Sequence, residues 1–318
     1  MRLSRSLGGC TLPLISATLL AWSTHASAGA TVTQLVDTTP ASASGLVNAL
    51  VGPGILVVPG SAQYQGAASA SGTFTNGGLG PNGLGIDQGV VLTTGDARFI
   101  GSSAAFPGDS SNKATDFTAG VGNSLTPNTS PGNPLFAAMA PAGTFNASLL
   151  SFQFVPQTSL LSVTFVFGSE DYSDVINTGF PSDVFGIFVN GVNYALVPGT
   201  SQAISTSTIN CGGPTSGAAP GSGPNCGLYR DNPPFSENID SEVDGMTVAL
   251  SLSIPINRNV VNSFAVGIAD QLDSSSDSAL MLKMGSVAAV PEPSTYALLA
   301  AGGFLVSLVA RRRRELRR

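Results

Sequence analysis

Four stretches of this chain alternate apolar and polar or small residues with a period of two, and that pattern limits the fold more than any other feature. "LLSFQFVP" sets Leu150, Phe152 and Phe154 against Ser151, Gln153 and Val155. "LSVTFVFGSE" repeats the pattern with Leu161, Val163, Phe165 and Phe167. "TVALSLSI" does so with Val248, Leu250, Leu252 and Ile254, and "SFAVGIAD" with Phe264, Val266 and Ile268. Period-two alternation belongs to strands that bury one face. "VVLTTG", "VFGIFVNG" and "ALMLKMGS" supply further strands, while "SGLVNALVG" at Ser44 to Gly52 is the one weakly helical patch. With 38 glycines and 21 prolines to break any long helical period, the expected fold is all-β. Two sheets each burying one face make a single β-sandwich, jelly-roll-like, with long polar loops from Gly101 to Pro134 and Cys211 to Pro234.

The ends of the chain carry a different signal. Arg2 and Arg5 precede the apolar "CTLPLISATLLAW", and "ASA" at Ala26 to Ala28 offers a small-residue exit before Gly29. This is the pattern of a secretory signal peptide over 1–28. Cys10 is not a lipoprotein cysteine, because no apolar run precedes it. Removal of that peptide takes with it the only histidine, His25, and the only tryptophan, Trp22. The domain expected over 29–289 therefore lacks the imidazole needed for Ser-His-Asp, Cys-His or His-zinc chemistry. Lys113 and Lys283 have no motif around them for a Ser-Lys pair.

Between Gly29 and Val290 the basic residues are Arg98, Lys113, Arg230, Arg258 and Lys283, against seventeen acidic ones, a net charge of −12. Such a surface repels a polyanion, so nucleic acid is excluded as a partner, and it attracts cations. Cys211 and Cys226 bracket "GGPTSGAAPGSGPN". In an oxidising compartment they are expected to pair and staple that loop; the alternative is two free thiols.

At the far end, Pro291, Glu292 and Pro293 precede an apolar run, with 294–310 as a transmembrane segment. It is slightly short of the ~20 residues usual for a bilayer span. Arg311 to Arg314, Arg317 and Arg318 then mark a cytoplasmic stop. This order of motif, span and arginine cluster over 290–318 closely resembles the PEP-CTERM sorting signal of Gram-negative bacteria. The resemblance implies an exosortase-type sorting protease as partner, an inner-membrane precursor held through 294–310, and a final place at the cell surface or in the extracellular matrix.

A second resemblance lies in the body of the chain. "IDQGVVLTTG", "FQFVPQTSLLSVTFVFGSEDYSDV", "PSDVFGIFVNG" and "VGIADQLDSSSDSALMLKMGS" are similar to the choice-of-anchor L domain over roughly Ala43 to Ser286. This implies a surface domain with a β fold and names no activity. The Cys211–Cys226 loop departs from the family pattern.

Three acidic clusters stand out as candidate Ca²⁺ ligands: Glu170, Asp171 and Asp174, followed by Asp183; Asp240, Glu242 and Asp244; and Asp270, Asp273 and Asp277. Crowded carboxylates without a nearby Lys or Arg repel one another, and a hard cation with oxygen ligands relieves this. "DSEVDG" opens like a calcium loop, yet Ser251 stands where an EF-hand needs its bidentate glutamate. The alternative for each cluster is a solvated loop rim. The expectation is a non-enzymatic exported protein of the surface or matrix, with a role in adhesion or with exopolysaccharide, without catalytic residues and with Ca²⁺ as its one conceivable cofactor. A calcium-dependent carbohydrate-binding module using Tyr64, Tyr172, Tyr194 or Tyr229 is the alternative. A glycosidase built on Glu170 with Asp183 or Asp270 ranks behind both.

Overall fold

The computed structural model describes residues 29–101, 128–172, 176, 183–212, 221–233, 238–272, 274 and 276–291. The signal-peptide region, the apolar tail, Asp174, Asp273, Glu292 and Pro293 lie outside the described residues. Strand β1 (Thr31–Gln34) leads to helix α1 (Pro40–Leu50), then β2 (Ile55–Val57), β3 (Gln63–Gln65), β4 (Ser71–Thr75) and β5 (Gly89–Thr93). The long strands β6 (Thr144–Pro156) and β7 (Leu160–Ser169) follow, then β8 (Val184–Val189) and β9 (Val192–Asn193). The chain closes with β10 (Tyr229–Asp231), β11 (Gly245–Thr247), β12 (Leu250–Pro255), β13 (Asn262–Gln271), β14 (Ser278–Lys283) and β15 (Ala288–Ala289).

These strands form two antiparallel sheets. One runs β1-β4-β5-β14-β7-β11-β10, with β12 and β15 also on β7; the other runs β2-β6-β13-β8-β9, with β3 on β6. From β5 to β8 the chain changes sheet at every strand, and it does so again on entering and leaving β13. The strands read from alternation keep the register that alternation demands. Phe152 and Phe154 of β6, Phe165 and Phe167 of β7 and Phe264 of β13 are all buried. Rings meet across the sandwich: Phe167 stacks on Phe185 of β8 at 4.7 Å, and Phe165 meets the same ring edge-on at 5.7 Å. Packed rings of this kind stabilise beyond their buried area.

Both sheets are also covered on their outer faces, which removes the alternation near the ends of some strands. Val166, Met246 and Met281 project from the outer face of the first sheet and pack with Ala30, Ile100, Ile239 and Val243. On the second sheet Phe136 packs edge-on against Phe188 at 6.1 Å. Helix α1 starts four residues before the patch expected from sequence. Pro40 sits in its first turn and Thr39 caps it, its hydroxyl accepting from the Ser42 N–H. The fixed φ of proline suits that position, so "TPASAS" starts the helix although it carries no apolar periodicity. Tyr229–Asp231, expected to be loop, forms β10 on β11. Asn190 and Gly191, with φ of 51° and 80°, make the tight turn from β8 to β9. Cys211 and Cys226 are joined as a disulfide, with Cα atoms 4.5 Å apart.

Candidate functional site

Antiparallel register brings the acidic clusters together at one end of the sandwich. On the first sheet, Ser169 of β7 lies opposite Gly245 of β11 on one side and Ser278 of β14 on the other. One step beyond, Asp244, Glu170 and Asp277 stand in a row across three strands, and the Glu170 N–H donates to the Asp277 carbonyl at 3.0 Å. On the second sheet, Val184 of β8 faces Ala269 of β13, which sets Asp183 opposite Asp270. Asp171 joins them: its Oδ2 accepts from the Asp183 N–H at 3.2 Å. Asp240 and Glu242 lie in the segment that crosses the outer face of the first sheet, where Ile239 and Val243 anchor it.

None of these eight carboxylates is more than 9% exposed. The solvated-rim alternative is therefore wrong for every one of them. The reason is tertiary: each cluster is polar in sequence, but apolar neighbours such as Ile239, Val243 and Val184 pull it inside. The basic side chains among the described residues are placed elsewhere. Arg98 pairs with Asp96 at 2.7 Å, and Arg230 donates to the carbonyls of Pro81 and Gly83. Arg258 and Lys283 are exposed.

Polar side chains that the sequence did not single out build the frame. Asn146, at φ 50°, donates from Nδ2 to Asp270 Oδ2 at 2.6 Å. Asn128 ties in by donating to the Asn146 carbonyl at 2.5 Å. Asn232, fully buried, donates to the carbonyls of Ser241 and Val243 and accepts from the Ile239 N–H. The hydroxyl of Ser278 donates to that of Ser169, which accepts in turn from the Asp171 N–H. A cavity of about 10 Å³, room for one water, is lined by Asp96, Glu170 and Asp277 with Thr93 and Val243. Isolated Asn and Ser residues carry no pattern in sequence, so only the folded registers reveal them.

The Asp183–Asp270 pair has the sharpest electrostatics. Burial, and then the charges of Asp270 and Asp171, holds the Asp183 carboxyl well above the usual carboxylate range. Burial likewise pushes Asp270 up to about 7, partly offset by hydrogen bonding from Thr94 and Asn146. The two carboxyls are within hydrogen-bonding reach of each other. Asp183 Oδ2 and Asp270 Oδ1 have no hydrogen-bond partner. Buried charge of one sign requires either a shared proton or a bound cation. Among the described residues, no group of three or more His, Cys, Asp or Glu is placed to hold a metal ion.

The aromatic residues separate in the same way. Tyr172 is fully buried, 4.8 Å from Tyr229 and 6.1 Å from Phe167. Burial, then the Asp171 charge, raises its pKa. Tyr64 is buried too, with its hydroxyl on the Ala67 carbonyl and Ser148. Neither can serve as a stacking platform for a sugar, which leaves Tyr194 and Tyr229 of the four. Tyr229 already donates its hydroxyl to Asp231 at 2.8 Å. Glu170 is as buried as the core phenylalanines, and among the described residues the cavity it lines, about 10 Å³, is far smaller than the cleft a glycosidase needs.

Residues 31–288 match the family model of the Choice-of-anchor L domain. The chain belongs to the choice-of-anchor L family. Directly after it, residues 289–314 match the PEP-CTERM protein-sorting motif. This choice-of-anchor L protein is thus exported as a membrane-anchored precursor and processed by an exosortase. Neither matched family is enzymatic. No curated protein and no solved structure matches the chain. Among the described residues, no helix is long and apolar enough to cross a membrane. The segment 294–310 lies outside them.

Proposed function

We propose that this choice-of-anchor L protein is a non-enzymatic module of the cell surface or extracellular matrix of a Gram-negative bacterium, where it serves adhesion or associates with exopolysaccharide. The observation that carries this reading is the direct junction of domain and address. The family match ends at 288 and the sorting match begins at 289, while β15 (Ala288–Ala289) is still paired to β7. The sandwich therefore sits a few residues from the expected 294–310 span, close against the inner membrane until the tail is processed. The strand orders β5-β14-β7-β12 and β6-β13-β8-β9 support reading the sandwich as a jelly roll. Cell fractionation tests the placement. The processed form belongs in the surface or matrix fraction, and its recovery from the cytosol would defeat the reading.

A hard cation such as Ca²⁺ at the Asp183–Asp270 pair, beside Asp171, is the cofactor this arrangement favours. Two facing carboxylates would supply its anionic ligands, and backbone carbonyls and water the rest, as Ca²⁺ accepts. The support is the pair of buried oxygens without a hydrogen-bond partner, Asp183 Oδ2 and Asp270 Oδ1. A melting temperature that rises on passing from EDTA to excess Ca²⁺ is expected; an unchanged one leaves the pair to a shared proton.

A further inference from the structure

The chain leaves the sandwich at the end opposite the Asp183–Asp270 pair. Ala289 of β15 lies opposite Leu161 of β7, and the Val290 N–H donates to the Leu160 carbonyl at 2.9 Å. The Ala289 N–H donates to the Pro53 carbonyl, which fixes the exit beside β2. Asp270 stands at the other end of β13, a strand about 30 Å long. The expected 294–310 span begins four residues after Val290, a reach of at most about 14 Å in any conformation. In the membrane-anchored precursor the exit end is therefore the end that lies at the bilayer.

That end carries an apolar row on an exposed face. Leu56 of β2 lies opposite Val155 of β6, and Asn262 lies opposite Phe154, which places Val261 beside Val155 on its other flank. Phe154 is buried in the core, so this neighbouring row points outward. Leu56 is 61% exposed and Val261 56%. Val260, 51% exposed, adjoins them in the β12–β13 turn, where the Asn259 N–H donates to the Pro156 carbonyl at 2.9 Å. One outward row further in, Gln153 faces Ser263, so the apolar surface stops at the rim. Arg258, exposed in the same turn, adds a positive charge. Exposed aliphatic side chains beside a cation suit a bilayer surface: the apolar groups enter the headgroup–acyl boundary, and the cation meets anionic headgroups. We propose that Leu56, Val155, Val260 and Val261, with Arg258, form a lipid-contacting rim that seats the sandwich on the inner membrane before the tail is cut. The short tether holds the rim at that surface, and the contact turns the acidic end away from it. The inference rests on the reading that 294–310 spans the inner membrane.

The test uses the full-length precursor from cells without the sorting protease, reconstituted into vesicles of phosphatidylethanolamine and phosphatidylglycerol. An environment-sensitive fluorophore is attached to Leu56→Cys, to Val261→Cys or, at the acidic end, to Ala142→Cys, all at exposed positions. Cys211 and Cys226 are paired and stay unlabelled. Lipids bearing a nitroxide near the headgroup supply the quencher. Quenching at the two rim positions should exceed that at Ala142→Cys about fivefold or more, because it is short-ranged and the two ends lie about 30 Å apart. In the Val261→Cys protein, adding Arg258→Glu and Val260→Ser should cut the quenching about twofold, as loss of lipid contact requires. A tether without contact would leave it unchanged, and that result overturns the inference. Equal quenching at both ends, or none at either while the precursor still floats with the vesicles, overturns it too and leaves the anchored precursor standing. Rim quenching that appears only when the sorting protease is added back assigns the rim to a protein partner and likewise overturns it. A precursor that fails to float with the vesicles overturns the span itself and the inference with it.

Discussion

The centre of the sandwich and its acidic end are built by the same strands, yet they are opposite solutions to burial. Phe165 and Phe167 of β7 lie among other rings, and two residues further along the same strand direction Ser169 and Glu170 lie among carboxylates. Both regions exclude water. The centre gains from that exclusion, at about 25 cal/mol per Å² of apolar surface. The end does not, because a buried carboxylate loses its hydration and must regain partners from asparagines, hydroxyls, a proton or a cation. The two regions thus divide the labour: the phenylalanine layer supplies stability, and the acidic end makes the fold sensitive to its surroundings.

Variants can break or sharpen this contrast. Phe165→Ala, in the ring layer, should cost about 3–5 kcal/mol, read as a lower urea midpoint, and leave any calcium response of the remaining folded fraction intact. Gly95→Ala acts at the acidic end, where a Cβ would stand 1.5 Å from Asp277 Oδ2. Relieving that clash moves a buried carboxylate, and an overpacking cost of about 1–3 kcal/mol is expected in the same assay. Asp270→Asn carries the smallest effect and the most informative sign. The amide keeps the shape, removes the charge the pair still carries at neutral pH without a cation and can donate to Asp183. Stability in EDTA should therefore rise by about 1 kcal/mol, while the calcium-dependent rise in melting temperature disappears. A loss of stability in EDTA would mean that the Asp270 charge is already compensated without a cation.

The same contrast explains how much was legible in the sequence. Strands β6, β7, β12 and β13 showed themselves because long stretches of each carry one apolar and one polar face. Short strands such as β1, β3 and β11, with three or four residues each, are too brief for any period to register. The acidic residues were conspicuous one cluster at a time, but their assembly depends on antiparallel registers between segments up to about a hundred residues apart. Nothing local in "GSEDYSDV" or "ADQLDSSSDS" tells that β7, β8, β13 and β14 all meet at one end.

Native mass spectrometry of the protein recovered from the envelope of its own cell addresses the central claim, an exported sandwich whose buried Asp183–Asp270 pair holds a divalent cation. The account requires a chain that begins at Gly29, with Cys211 and Cys226 oxidised and a bound divalent cation that EDTA removes. A chain still beginning at Met1, with both thiols reduced and no cation, would contradict it.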